Sequence, residues 1–418
     1  MRRRDPPVKP LVFLFVTVLV DMIGYGIVVP LLPFYAREYA PGAALVGVLG
    51  SLYAAMQLFG GPFLGGLSDR VGRRPVLILC LIGASSAYLL LGLAGSLSMI
   101  FVAVALAGVA AGTLATSQAY IADITGLEDR ARGMGVIGAA FGLGLMAGPV
   151  LGGLLSLYSP NAPAFAASAL ALCNAAFGFL VLPESLPQED RTPTPLYRLG
   201  PLSQLRGVLW IGNIRILLLA VFLLNLSFAG LLTNFPLFSN ERFGWDAADN
   251  AFFFAFVGLC AVLTQGVLLG KLQPRFGERR LLRAGLALMA VNLALVAVAP
   301  SGALLYPVVG LLAVGGGLAI PAVTALISRR VPGRAQGKVM GGTQAVISVT
   351  LILGPVISGL AFDHLGVPAP YWIGSLLAAF ALLSATAALS PARRAHTREA
   401  VSSGGLRADA VKTGETGG

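Results

Sequence analysis

Charge is scarce in this chain. Asp, Glu, Lys and Arg make up 11% of its 418 residues, against about 25% in soluble domains. Hydrophobic residues reach 56%, which leaves too little polar surface to clothe a water-soluble globule. Cysteine and histidine are rarer still. Cys80, Cys173 and Cys260 each fall inside an apolar run, and His364 and His396 have no ligand partner nearby. No disulfide framework, metal site or cofactor is expected. Acids are outnumbered 18 to 29, for a net charge of +11. A nucleic-acid partner would require those basic residues on one surface. They are instead scattered through short loops between apolar stretches, where they report topology and attraction to anionic lipid headgroups. No nucleophile–base pair or phosphate loop is present, so an enzyme is not expected. The first ten residues are basic but lack a small-residue cleavage site, so they read as a cytoplasmic leader rather than a cleaved signal.

What is present is a series of twelve apolar stretches, near 11–35, 43–66, 75–95, 97–122, 133–157, 162–182, 213–238, 249–271, 280–299, 302–327, 338–362 and 369–390. A helix of about 20 residues crosses a bilayer core, so these are spans 1 to 12 of an all-α membrane protein. Residues 183–212, rich in Pro, Gln, Glu, Asp and Arg, separate an N-terminal six-helix bundle (1–182) from a C-terminal one (213–391). Residues 392–418 are rich in Gly, Ser and Ala with mixed charge, and are expected to be disordered. Arg70, Arg73, Arg74, Arg275, Arg279, Arg280, Arg329 and Arg330 share one side with both termini, while the opposite loops hold Arg37 and Arg242. The positive-inside rule then sets both termini in the cytoplasm. The two bundles repeat at about 205 residues: Gly270–Arg280 mirrors Gly65–Pro75, with Pro274 where the first copy has Asp69. Gly354-Pro355 mirrors Gly148-Pro149, and Asn225 in span 7 mirrors Asp21 in span 1. A monomer of two pseudo-symmetric bundles, with its site between them, is the expected architecture.

The junction between spans 2 and 3 reads Gly65-Gly66-Leu67-Ser68-Asp69-Arg70-Val71-Gly72-Arg73-Arg74-Pro75. Gly65 and Gly72 suit a tight turn. Asp69 is placed where a carboxylate could cap a neighbouring helix N-terminus. Arg73 calls for an acid on another helix. Asp123, at the end of span 4, could pair with Arg73 or Arg130, or be a plain solvated helix end. This motif resembles the loop 2–3 signature of the major facilitator superfamily. The resemblance implies a cytoplasmic latch, closed when the pore faces outward, built from Gly65, Asp69, Arg70, Gly72, Arg73, Arg74 and Asp123. Span 5 carries Gly135, Gly144, Gly148, Pro149, Gly152 and Gly153. Glycines spaced by four present a smooth face to a partner helix, and Pro149 removes a backbone donor and bends the helix. Generic small-residue packing is one reading. The spacing also resembles the antiporter motif of facilitator exporters, which implies a leak-proof seal between spans 5 and 8.

Asp21 is the one acid deep within an apolar run. An ionised carboxylate there costs about 2.5–3.5 kcal/mol even on the lenient insertion scale. It is a candidate proton site, the alternative being a structural carboxylate bonded to a neighbouring hydroxyl or amide. Residues 17–157 resemble the N-terminal half of bacterial tetracycline/proton antiporters, in Val18-Leu19-Val20-Asp21-Met22-Ile23-Gly24, in Ser68–Leu77 and in Gly138–Pro149. Those pumps have an acid in span 3 and an arginine in span 4 where this chain has Ala87 and Val104, so a substrate other than tetracycline is open. Tyr25, Gln57, Asn225, Phe228, Asn234, Gln265 and Gln344 are candidate cavity residues, because lipid rejects amides and aromatics suit amphiphilic ligands. The resulting expectation is a secondary transporter of the bacterial inner membrane that exports a small amphiphilic compound in exchange for protons. An uptake symporter or uniporter of the same fold is the alternative.

Overall fold

The computed structural model describes residues 8–37, 39, 42–125, 130–191, 208, 211–212, 214–331 and 335–389. Most of the interval 183–212 and all of 392–418 lie outside the described residues, as does the Arg130 side chain. Every regular element among the described residues is helical. Span 1 is Val8–Val28, continued through a 3₁₀ turn at Val29–Leu31 into Leu32–Arg37. Pro30, with no N–H to donate, sits in that turn. Spans 2 and 3 are Ala43–Val71 and Arg73–Gly92. Span 4 is broken into Leu97–Ala110 and Thr113–Ile124, and spans 5 and 6 are Arg130–Ser156 and Ala162–Val181. In the second half span 7 is broken into Arg215–Phe228 and Leu231–Phe243. Spans 10, 11 and 12 are Gly302–Ser328, Gln336–Leu365 and Ala369–Leu389.

Spans 8 and 9 fall within one apolar helical run of 52 residues, Ala247–Val298. At 1.5 Å per residue such a run would be about 78 Å long, more than twice the hydrocarbon core. Gly277, at φ 70° and ψ 160°, breaks it, and the chain turns back there. The eleven long apolar helices among the described residues therefore contain twelve crossings. The start of span 8 is fixed by a reciprocal capping box: Asp246 accepts from the Asp249 N–H at 2.9 Å, and Asp249 accepts from the Asp246 N–H at 3.1 Å. One π-helical segment, Thr264–Leu268, interrupts span 8.

Within each half the order of packing repeats. Span 1 lies on spans 5 and 6, and span 7 lies on spans 11 and 12; span 3 lies on 4 and 6, and span 9 on 10 and 12. The halves meet along two seams, span 2 with span 11 and span 5 with span 8, which exchange places when the halves are swapped. The seams close tightly at the end away from the Gly65–Pro75 motif, here called the far end. There the Asp363 carboxylate of span 11 accepts from the Ala43 and Ala44 N–H groups at 2.9 and 2.8 Å, capping span 2 from the other half of the molecule. The Ser51 hydroxyl donates to the Ile352 carbonyl at 2.5 Å. A Cβ on Gly359 would fall 2.7 Å from Ala44 Cα, and one on Gly50 the same distance from Thr233. Toward the motif end, a Cβ on Gly61, Gly65, Gly135, Gly138, Gly266 or Gly270 would meet nothing within 4 Å.

Candidate functional site

Asp21 sits midway along span 1, surrounded by spans 2, 3 and 4. The Thr113 hydroxyl lies within hydrogen-bonding reach of it and of Cys80. Thr113 opens the second half of the broken span 4, with Gly112 as its cap. The carboxyl therefore stands at the positive end of a half-helix, where an anion is favoured. Tyr53, Cys80 and Tyr88 lie within its electrostatic reach. No Asp, Glu, Lys, Arg or His occurs in 43–66, 75–122 or 133–181, so no permanent charge inside the N-terminal half neutralises it.

A cavity of about 100 Å³ lies next to this group, between the halves. Tyr25, Val28, Val29 and Leu32 of span 1, Tyr53 and Gln57 of span 2, Ala87 and Tyr88 of span 3 and Val104 of span 4 form one wall. Ala229, Thr233, Leu351 and Pro355 of spans 7 and 11 form the other. The breaks in spans 1 and 7 both open onto it. Tyr25 and Tyr53 pack with ring centroids 5.5 Å apart, and the Tyr88 ring lies over Gly24, where a Cβ would be 3.3 Å away. Asp21 does not line the cavity; the three tyrosines do. Of the candidate cavity residues, Tyr25 and Gln57 line it. Asn225 is turned into its own helix, donating to the Val221 carbonyl at 2.8 Å. Phe228 packs against the core of the second half. Asn234 is buried and donates to the Pro355 carbonyl at 3.5 Å. Gln265, in the π-helical segment, and Gln344 are exposed and do not line the cavity. Ala87 and Val104 stand in its wall, so the wall is apolar at both positions.

At the motif end, the helix of span 2 runs through to Val71 and only Gly72 breaks it. Gly72 takes φ 112°, a conformation that requires glycine. Gly65 lies inside the helix, in open space, and takes no part in the turn. Arg73 is the hub. Its guanidinium reaches Asp123 at 3.0 Å, Asp69 at 2.5 Å and the Ser68 hydroxyl at 2.6 Å. Asp69 thus serves the Arg73 side chain instead of a helix terminus. The terminus is capped by Glu184, which follows span 6 and accepts from the Arg73 and Arg74 N–H groups at 2.8 and 3.3 Å. Ser185 donates to Asp123 at 3.2 Å. Arg74 donates to the Phe179 carbonyl at 2.5 Å and stacks on that ring. One cluster therefore ties spans 2, 3, 4 and 6.

The second half holds the same device with its charges exchanged. Glu278 occupies the place of Arg73, directly after Gly277, and pairs with Arg329 beyond span 10 at 2.7 Å. Gln273, in the place of Ser68, donates to Glu278 at 3.3 Å. The loss of the acid at Pro274 is visible in sequence. The inverted pair is not, because its members are 51 residues apart and neither repeats the residue type of the first copy.

The span 5 glycines seat chiefly on span 1. A Cβ on Gly148 would fall 2.6 Å from Gly26 Cα, one on Gly144 2.8 Å from the Leu19 carbonyl, and one on Gly152 2.9 Å from the Ile27 carbonyl. Gly153 alone of the motif faces span 8, against Ala251, and Gly135 touches nothing within 4 Å. The face spaced by four is therefore the bearing surface for the helix that carries Asp21, and span 8 is met by Gly153, with Met146 and Gly142 beside it.

Comparison with known proteins agrees with this arrangement. The family model of the Major Facilitator Superfamily matches residues 14–276 and 254–413. The chain is 37% identical over 350 residues to the tetracycline resistance protein, class C, of Escherichia coli, covering 83% of this chain and 88% of that one. It is 31% identical over 362 residues to multidrug resistance protein 2 of Bacillus subtilis (strain 168), covering 84% and 88%. The crystal structure of the human organic anion transporter MFSD10 (TETRAN) superposes with a TM-score of 0.70 at 24% identity, covering 91% of this chain and 100% of that one.

Proposed function

This chain belongs to the Major Facilitator Superfamily, and from that premise we propose that it exports a small, amphiphilic, drug-like compound across the inner membrane in exchange for protons, with Asp21 as the proton-carrying group. It is a transporter and not an enzyme. The relatives' names speak of resistance to tetracycline and to multiple drugs, so uptake is the disfavoured direction. The observation that carries the coupling is the position of Asp21: a carboxyl without a permanent counter-charge, at the head of a half-helix, beside tyrosines that line a cavity shared by both halves. Neutral, it suits a dry bundle; ionised, it costs energy unless the helix end and Thr113 are well aimed. Gain and loss of the proton therefore change the relative stability of the two facing states.

The apolar, aromatic cavity wall with Gln57 and Thr233 suits lipophilic substrates, and the apolar Ala87 and Val104 speak against a site built for a metal-chelated one. With the motif end in the cytoplasm by the positive-inside rule, the far-end closure through Asp363 corresponds to a form shut to the outside. The Arg73 cluster is then the cytoplasmic latch in its released state, paired within its own half. One inward positive charge supplies about 2.3 kcal/mol per 100 mV, enough to drive a modest gradient of a neutral substrate. The test is flux in sealed proteoliposomes with ethidium and tetracycline as probes. The proposal predicts uphill movement of at least one probe against an imposed proton gradient. Downhill movement of both, indifferent to that gradient, would overturn it.

A further inference from the structure

Asp21 does not line the cavity, while Tyr25, Tyr53 and Tyr88 near it do, so the proton need not share the substrate's route. A second route is written in the buried hydroxyls. Thr17, Thr113, Thr116 and Ser117 are each no more than 1% exposed, and, apart from the Asp21 and Cys80 neighbours of Thr113, none meets a hydrogen-bond partner among the described residues. Buried hydroxyls are normally satisfied; several together, lacking protein partners, form a site that takes ordered water. Their placement is regular. Thr113, Thr116 and Ser117 are spaced by three and four on the helix Thr113–Ile124, hence on one face, and Tyr120 and Asp123 continue that face. Thr17 lies one turn before Asp21 on span 1, toward the motif end. From Thr113 to Asp123 the helix rises about 15 Å.

We propose that the proton leaving Asp21 travels along span 4 through water held by Thr113, Thr116 and Ser117, and reaches bulk water beside Asp123 at the motif end. This rests on the reading of Asp21 given above. The Asp21 O–H bond breaks and a water bound by Thr113 takes the proton. Successive O–H···O exchanges then pass a proton along the file, each hydroxyl regaining one for the one it gives. Asp21 is left as carboxylate, and a hydronium is released to solvent. Protons and substrate thus leave the midplane by separate paths. The titratable groups that face Asp21 are Tyr25 on its own span, Tyr53 on span 2, and Cys80 and Tyr88 on span 3, all neutral; Thr113 is the polar neighbour on span 4.

The test needs no substrate. Infrared absorption of the protonated carboxyl, followed after a pH jump on the purified full-length protein, reads the rate at which Asp21 deprotonates, and Asp21→Asn assigns the band. The double variant Thr116→Val/Ser117→Ala should slow that rate about tenfold or more, while Thr116→Ser, which keeps a hydroxyl, should leave it at the wild-type value. A wild-type rate in the double variant overturns the path, as does equal slowing in both variants, which would mark a packing effect. If wild-type protein shows no band that Asp21→Asn removes, the reading of Asp21 as the proton carrier falls, and the path with it.

Discussion

On the proposed reading two side chains carry the chemistry, Asp21 and Arg73, and each depends on a partner far away in sequence. Asp21 owes its setting to Thr113 and the half-helix that Thr113 opens. Arg73 owes its orientation to Asp69, Asp123 and Ser68. A hydrogen bond to a charged group contributes about 1.5–3 kcal/mol when buried, and the Arg73 and Asp123 side chains are 10% and 21% exposed. Asp123→Asn is therefore expected to lower the melting temperature of the purified protein and to slow transport about tenfold, while leaving the binding of probe substrates unchanged; melting curves with flux and equilibrium binding check it. Asp21 stood out in the sequence as a lone acid in an apolar run, open to reading as a proton site or as a structural carboxylate bonded to a neighbouring hydroxyl. The Arg73–Asp123 pair was one of the readings open in the sequence, Arg130 as partner and a solvated helix end being the others. Glu184 was not, since it lies just past the end of span 6 and its role as cap is decided by where that span delivers it. The cavity amides were misleading for a physical reason: Asn225 satisfies its amide on its own helix, so rejection by lipid did not need to drive it into the cavity.

At the scale of helices, glycine spacing and charge pairing divide the work. Twelve apolar stretches placed the spans because hydrocarbon thickness fixes their length. Which face of span 5 meets which neighbour was not legible, because spacing by four marks a face without naming its partner. The contacts give a sharp contrast. Gly148→Val would force a branched side chain into the Gly26 backbone; transport should be abolished and the melting temperature lowered. Gly135→Ala meets open space and should be tolerated, or gain up to about 1 kcal/mol from helix propensity. Flux and melting curves on both variants decide whether the bearing surface is span 1. The charge-inverted pair offers a second test. Arg329 is 68% exposed, so the pair contributes about 1 kcal/mol or less to stability. Glu278→Arg alone should impair transport by placing two arginines together, and adding Arg329→Glu should restore it. No recovery in the double variant would mean that the pair does not act as a tether between spans 9 and 10.

In the molecule as a whole, the two halves are held at the far end by glycine contacts and by one carboxylate, Asp363, bonded to the start of span 2. Its partners are 320 and 319 residues away, and nothing in the sequence around it announces the link. Asp363→Ala removes this cap between the halves. The population should shift toward the form open at the far end, read as a longer distance between spin labels placed on spans 2 and 11; an unchanged distance distribution would remove Asp363 from the gate. The central claim is that Asp21 carries the proton whose inward movement drives export. It is tested most directly by Asp21→Asn in proteoliposomes, with ethidium and tetracycline as probes. The account predicts that the variant still exchanges probe for probe across the membrane but no longer moves it uphill when a proton gradient is imposed. Uphill transport at the wild-type rate by the variant would contradict it.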